Sequence, residues 1–202
     1  MNDLTAMTVE EFLDALALRS PSPGGGAVAA AAGALAAAMG RMVLAYSIRE
    51  PVPLALVAAA ERLRHADELL RALVSQDAAA YDQMVTSTKA AKKDASLQTV
   101  AQQAVLAAMA VPLQMAALAA DVLTTLDAVK ADTNKYLVSD LGVAAVVGVA
   151  AAEAAGYNVK VNAPQLIDAA TRERALRDVE QACRHAREAG DRIRNYVDGQ
   201  LA

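Results

Sequence analysis

Ser20-Pro21-Ser22-Pro23-Gly24-Gly25-Gly26 runs without a break into Ala27-Val28-Ala29-Ala30 and on through an alanine-rich segment that ends at Tyr46. The two prolines fix their own φ angles and push the residues before them out of the α region. The three glycines then permit backbone angles and close contacts that side-chain-bearing residues do not. A helix that begins there offers unpaired N–H groups and the positive end of its dipole to an anion or a carbonyl oxygen. The stretch is therefore either a tight corner between packed helices or the bare-backbone wall of a binding site.

The rest of the chain favours helices throughout. About a quarter of the 202 residues are Ala, hydrophobic residues make up 55%, aromatics 3%, and there is no Trp. Alanine is the best helix former and lets helices approach closely, so the expected fold is all-α, one domain spanning 1–202, with about six helices running up and down. Thr8 and Glu11 form a capping box for a short amphipathic helix reaching about Leu18. The segment from Ala27 to Tyr46 reads as a central helix buried on all sides, because Ala adds little insertion energy and Arg41 interrupts the run. Pro51 and Pro53 break the chain, and a third helix then extends to about Lys89. Leu63, Ala66, Leu70, Leu73, Val74, Tyr81 and Met84 form its apolar stripe. A fourth helix covers about Ser96 to Val129, with Pro112 expected to kink it. Ser139-Asp140 reads as the N-cap of a fifth, ending near Ala155. Residues 156–164 read as a loop, with a short extended piece at Val159–Val161, before a charged final helix. The apolar excess implies surface buried between subunits, so a homo-oligomer is expected.

Several classes are excluded. A formal net charge of −4 gives no general attraction for nucleic acid. One cysteine, Cys183, excludes an internal disulfide and fits a reducing compartment. His65 and His185 stand far apart among charged neighbours, so no zinc-type cluster or other metal site is expected. The acidic N-terminus lacks a basic region and reads as no signal peptide, which makes the cytoplasm the expected location and a membrane partner unexpected. Gly24-Gly25-Gly26-Ala27-Val28-Ala29 fits the G-x-G-x-x-A dinucleotide pattern in letters only. That motif follows a strand, here Ser-Pro-Ser-Pro precedes it, and no Lys-Ser or Lys-Thr pair follows for a P-loop.

One residue breaks the helical pattern in a chemically useful way. Position 77 lies at offsets of seven, four and three from Leu70, Leu73, Val74, Tyr81 and Met84, so Asp77 is a carboxylate where a hydrophobe belongs. Such a group is paired, protonated or functional, and burial moves its pKa toward the range of general acid–base catalysis. The plain alternative is an Asp bonded to a helix end or to an Arg. Asp140 reads first as a cap, Asn158 and Asn162 as turn formers, and Lys89, Lys92 and Lys93 as a solvated helix end.

Together these segments resemble the formiminotransferase-cyclodeaminase family. Ser22-Pro23-Gly24-Gly25-Gly26 before an Ala-rich helix resembles its signature, and Asp77-Ala78-Ala79-Ala80-Tyr81 its D-A-E-A-F segment. Val111-Pro112-Leu113, Asn134 with Ser139-Asp140, Asn158-Val159, Val161-Asn162 and Asp168 follow in the family's order. The resemblance implies an all-helical dimer, folate bound near the glycine turn, Asp77 as proton acceptor, and no metal or redox cofactor. It implies ring closure of 5-formiminotetrahydrofolate with loss of ammonia, or hydrolysis of 5,10-methenyltetrahydrofolate. Gly24, Gly25, Gly26, Lys92, Asn134, Ser139, Asp140, Asn158 and Asn162 are the implied substrate-binding residues. The chain departs from the pattern at Ser47–Val52, where the family is lysine-rich, at Ala79, at Ala90-Ala91 and at Thr133. A diverged member that takes another small molecule, or a non-catalytic helical dimer, is the alternative reading.

Overall fold

A computed structural model describes residues 4–202, so the first three residues of the acidic N-terminus lie outside it. Six α-helices account for most of the described chain: α1 Val9–Ala17, α2 Gly25–Ser47, α3 Leu54–Ala91, α4 Gln98–Val129, α5 Val138–Asn162 and α6 Ala169–Leu201. Among the described residues there is no strand. Helices α2 to α5 form an up-and-down bundle, and α6 lies against α4 and α5. The capping box expected at the start of α1 is present in both directions: Thr8 Oγ1 accepts from Glu11 N, and Glu11 Oε2 accepts from Thr8 N.

The α2–α3 pair shows how the bundle is registered. A methyl group on Gly33 would stand 2.9 Å from Leu70 Cδ2, one on Gly40 would stand 3.1 Å from Leu63 Cδ1, and one on Gly26 would overlap the Asp77 carboxyl group. Glycines seven apart on α2 thus receive residues seven apart on α3, read in the opposite direction. This is knobs-into-holes packing of antiparallel helices, with glycine holes that let the axes come close. Midway along, Asp67 on α3 is buried between Arg41 of α2 and Arg71, and it accepts from both. The ion pair ties the two helices in the register that the glycines allow.

Four sequence expectations need correction. First, α2 is not covered on every side: Leu35, at its midpoint, is 67% exposed, and Val28 and Tyr46 are also exposed. Its main packing partners are α3, α4 and α5. Second, residues 156–162 are helical, so neither the loop nor the extended piece at Val159–Val161 exists. Gly156 marks a close approach to Cys183, whose Sγ would lie 3.1 Å from an added methyl, and Val159 is fully buried. Helix packing there overrides the turn and strand preferences of the local sequence. Third, Ser139-Asp140 is not an N-cap. The cap of α5 is Leu137, which makes no side-chain capping bond, and Asp140 sits inside the first turn, where it complements the dipole. Fourth, Tyr81 departs from the stripe and is exposed, whereas Leu63, Ala66, Leu70, Leu73, Val74 and Met84 are buried as expected. By length and composition, α2 and the segments Ala95–Asp132 and Lys135–Gln165 are long and apolar enough to cross a membrane.

Candidate active site

The site begins where α2 starts. Gly24 is the N-cap of α2 and has no side chain to bond the first-turn N–H groups, so another element must supply the acceptor. Asp77 does so from α3. Its carboxylate lies against the backbone of Gly26 and accepts from the Ala27 N–H. Asp77 thus makes the helix-end bond of the plain reading. A carboxylate has two oxygens, and one backbone donor leaves it capacity to take a proton. Burial raises the Asp77 pKa above the ordinary carboxylate value, and the Ala27 N–H only partly opposes that rise. A half-buried acid with a raised pKa and, among the described residues, no cationic partner in an ion pair is the electrostatic setting of a general base.

None of the three glycines has a positive φ, so the turn does not need them for backbone angle. Space is what Gly26 supplies, whereas a methyl at Gly24 or Gly25 would make only ordinary contacts. Gly26 admits Asp77, Gly25 faces the Asn158 side-chain amide at 3.5 Å from an added methyl, and Gly24 lies 3.5 Å from the Pro21 carbonyl by the same measure. Asn158 reaches this point from α5, its Nδ2 donating to the Ala154 carbonyl at 2.9 Å. Asn162, one turn further on, donates from Nδ2 to the Ala108 carbonyl of α4 at 3.2 Å. The structure therefore gathers Gly24, Gly25, Gly26, Asp77 and Asn158 at one end of the bundle, with Asn162 one turn away.

The other predicted residues lie elsewhere in the protomer. Asn134 caps a 3-10 turn by accepting from Tyr136 N at 3.1 Å, and its own N–H donates to Ser47 Oγ at 2.8 Å. That places it at the C-terminal end of α2, together with Ser139 and Asp140 at the start of α5. At 1.5 Å per residue the length of α2 separates this group from Asp77 by ~35 Å. Ser139 lines a separate groove between α5 and α6 with Val143, Arg194 and Asp198. Lys92 is the exposed C-cap of α3, about 22 Å along that helix from Asp77.

The glycine spacing 26, 33, 40 set against 77, 70, 63 was the readable signal for the Gly26–Asp77 contact, since it aligns the two helices in antiparallel register. The Ala108 partner of Asn162 had a signal too: a helical proline at 112 orphans the carbonyl four residues earlier.

Residues 8–181, the glycine turn and Asp77 included, match the family model described as formiminotransferase-cyclodeaminase. The chain belongs to that family. It is 30% identical to a methenyltetrahydrofolate cyclohydrolase of Methylorubrum extorquens, covering 96% of this chain and 97% of that protein. Its fold matches the crystal structure of a formiminotetrahydrofolate cyclodeaminase from Thermotoga maritima with a TM-score of 0.87. That match has 26% identity and covers 97% of this chain and 98% of the other. The all-α family fold implied by the sequence motifs is the fold observed. Among the described residues, no group of three or more His, Cys, Asp and Glu side chains is placed to hold a metal ion.

Proposed function

We propose that this family member hydrolyses 5,10-methenyltetrahydrofolate to the 10-formyl form, with Asp77 as general base. The observation that carries the reading is the raised-pKa Asp77 carboxylate seated on the glycine turn. The methenyl bridge is an amidinium-like cation, and an unpaired carboxylate in a partly desolvated notch attracts and orients it. Water attacks the bridge carbon and gives a proton to Asp77. The new C–O bond forms, the carbon–N5 bond breaks, and N5 takes a proton. One proton is released, which balances the cation lost. The flat ring system lies against the bare backbone at Gly26, beside Asp77, and Asn158 bonds its polar edge. The solved Thermotoga relative favours a second reaction on the same base, ring closure of 5-formiminotetrahydrofolate with loss of ammonia. Loss of methenyl absorbance, followed against an Asp77 variant to subtract spontaneous hydrolysis, tests the first reading. Ammonia release from the formimino substrate tests the second.

We also propose that the protein acts as a homodimer in the cytoplasm. The outward faces of the neighbouring helices α2 and α5 carry Val28, Leu35, Tyr46, Val143, Val146, Tyr157 and Val161, all exposed. Two adjacent helix faces ~35 Å long and ~20 Å across give about 700 Å² per partner, close to the area of a standard stable interface. A two-fold axis near Leu35 sets α2 antiparallel to its copy. Asn134, Ser139 and Asp140 of each protomer then approach the other protomer's Asp77 end, which completes a notch that one chain leaves open. Leu35→Glu is expected to halve the mass measured by light scattering and to lower folate turnover. A dimer that persists in this variant excludes this face.

A further inference from the structure

Helix α4 passes through Pro112 without interruption. Proline has no N–H, so the carbonyl four residues earlier, that of Ala108, loses its helical donor. Ala108 is buried, and a buried carbonyl without a partner is costly. The donor comes from 54 positions away: Asn162 Nδ2 bonds the Ala108 oxygen at 3.2 Å. This is also where the last turn of α5 meets the site. Asn158 stands one turn before Asn162 on the same face of α5, against Gly25, and its own side-chain bond runs back to Ala154 of its own helix. Asn162, unlike Asn158, therefore bonds this end of α5 to a neighbouring helix.

We propose that Asn162 is a positioning residue: it fills the vacancy that Pro112 leaves at Ala108 and thereby locks the site end of α5 so that Asn158 stays against the glycine turn. The proline and the asparagine form one device, and neither is explained alone. A residue at 112 that carries an N–H would make Asn162 dispensable. This assigns Asn162 to the protein's own backbone and removes it from the residues that contact substrate. Its catalytic consequence rests on the folate reading of the Asp77 site; the lock itself does not.

Four proteins decide the matter: wild type, Asn162→Ala, Pro112→Ala, and the double variant. With Pro112 present, Asn162→Ala is expected to lower Tm by about 5 °C. It is also expected to speed amide exchange in 158–162 about tenfold. In the Pro112→Ala background both losses should shrink to within error, because the new backbone N–H at position 112 takes the Ala108 oxygen. Methenyltetrahydrofolate turnover should follow the same pattern, with kcat/KM down about tenfold in Asn162→Ala and restored in the double variant. The pH midpoint set by Asp77 should not move. Equal losses of Tm and exchange protection in both backgrounds would overturn the lock. A kcat/KM loss that persists in the double variant while Tm and exchange recover would place Asn162 on the substrate instead. Recovery of Tm and exchange with kcat/KM unaffected in every variant would leave a purely structural bond and sink the positioning role. If the wild type turns over no folate, the folate reading fails, while the stability and exchange arms still judge the lock.

Discussion

Asp77→Asn is expected to lower kcat for methenyl hydrolysis about 10³-fold while the protein remains folded and still binds the substrate, though less tightly. The amide keeps the shape of the side chain, and its oxygen can still accept the Ala27 N–H that closes the start of α2. What it loses is the ability to take a proton. The raised pKa also fixes the sign of the stability change. Folding disfavours the ionised form of Asp77, so this residue's favourable contribution is fully present below the unfolded pKa and is lost as pH rises through the folded value. At neutral pH the wild type carries the cost of a partly buried negative charge, and the neutral amide of the variant does not. The variant is therefore expected to be at least as stable as wild type at pH 7, and relatively less so in acid. The same shift predicts that wild-type kcat/KM climbs with pH through a midpoint above the usual carboxylate range. Wild-type-like turnover by the Asn variant would refute Asp77 as the base. A flat pH profile across the acid range would do the same.

The sequence exposed Asp77 because it interrupts a run of apolar positions, and the structure shows what the interruption means. Leu63 and Leu70 fill glycine gaps on α2, and Asp77 takes the third place in that series. A position built to receive a leucine instead receives a carboxylate, which is why it is desolvated. The helix count, the capping box and the stripe on α3 could be read because each depends on local spacing and side-chain type. The C-terminal part of α5 could not. Gly156, Asn158 and Asn162 are turn residues by local chemistry, and what keeps them helical is contact with α6 and α4. The far placement of Asn134, Ser139 and Asp140 was legible, because in an up-and-down bundle the turn before α5 lies at the opposite end from the start of α2. The exposed face of α2 was not, because an alanine-rich helix has too weak an asymmetry to show which side is left uncovered.

Gly26→Ala should separate the two roles that the opening glycines were given. An added methyl at 26 overlaps the Asp77 carboxyl group, so Asp77 must rotate away and release the Ala27 N–H. Because the obstructing group ends a short side chain, the helices need not part. The expected stability loss is about 1–2 kcal/mol, the scale of a lost helix cap with mild overpacking. The expected activity loss is larger, about 10²-fold or more, since the base no longer stands where the reacting water arrives. Gly25→Ala is the internal control. Its methyl would lie 3.5 Å from Asn158 Oδ1, an ordinary contact, so activity and Tm should stay close to wild type. If the glycines served only as a flexible corner, neighbouring alanines would behave alike, and no glycine here has a positive φ to make either one strained. A hundredfold difference in kcat between two adjacent Gly→Ala variants, against a stability difference of only about 1–2 kcal/mol, is what a backbone wall shaped around one carboxylate requires. Equal kcat in the two would show that the turn shapes the corner and not the chemistry.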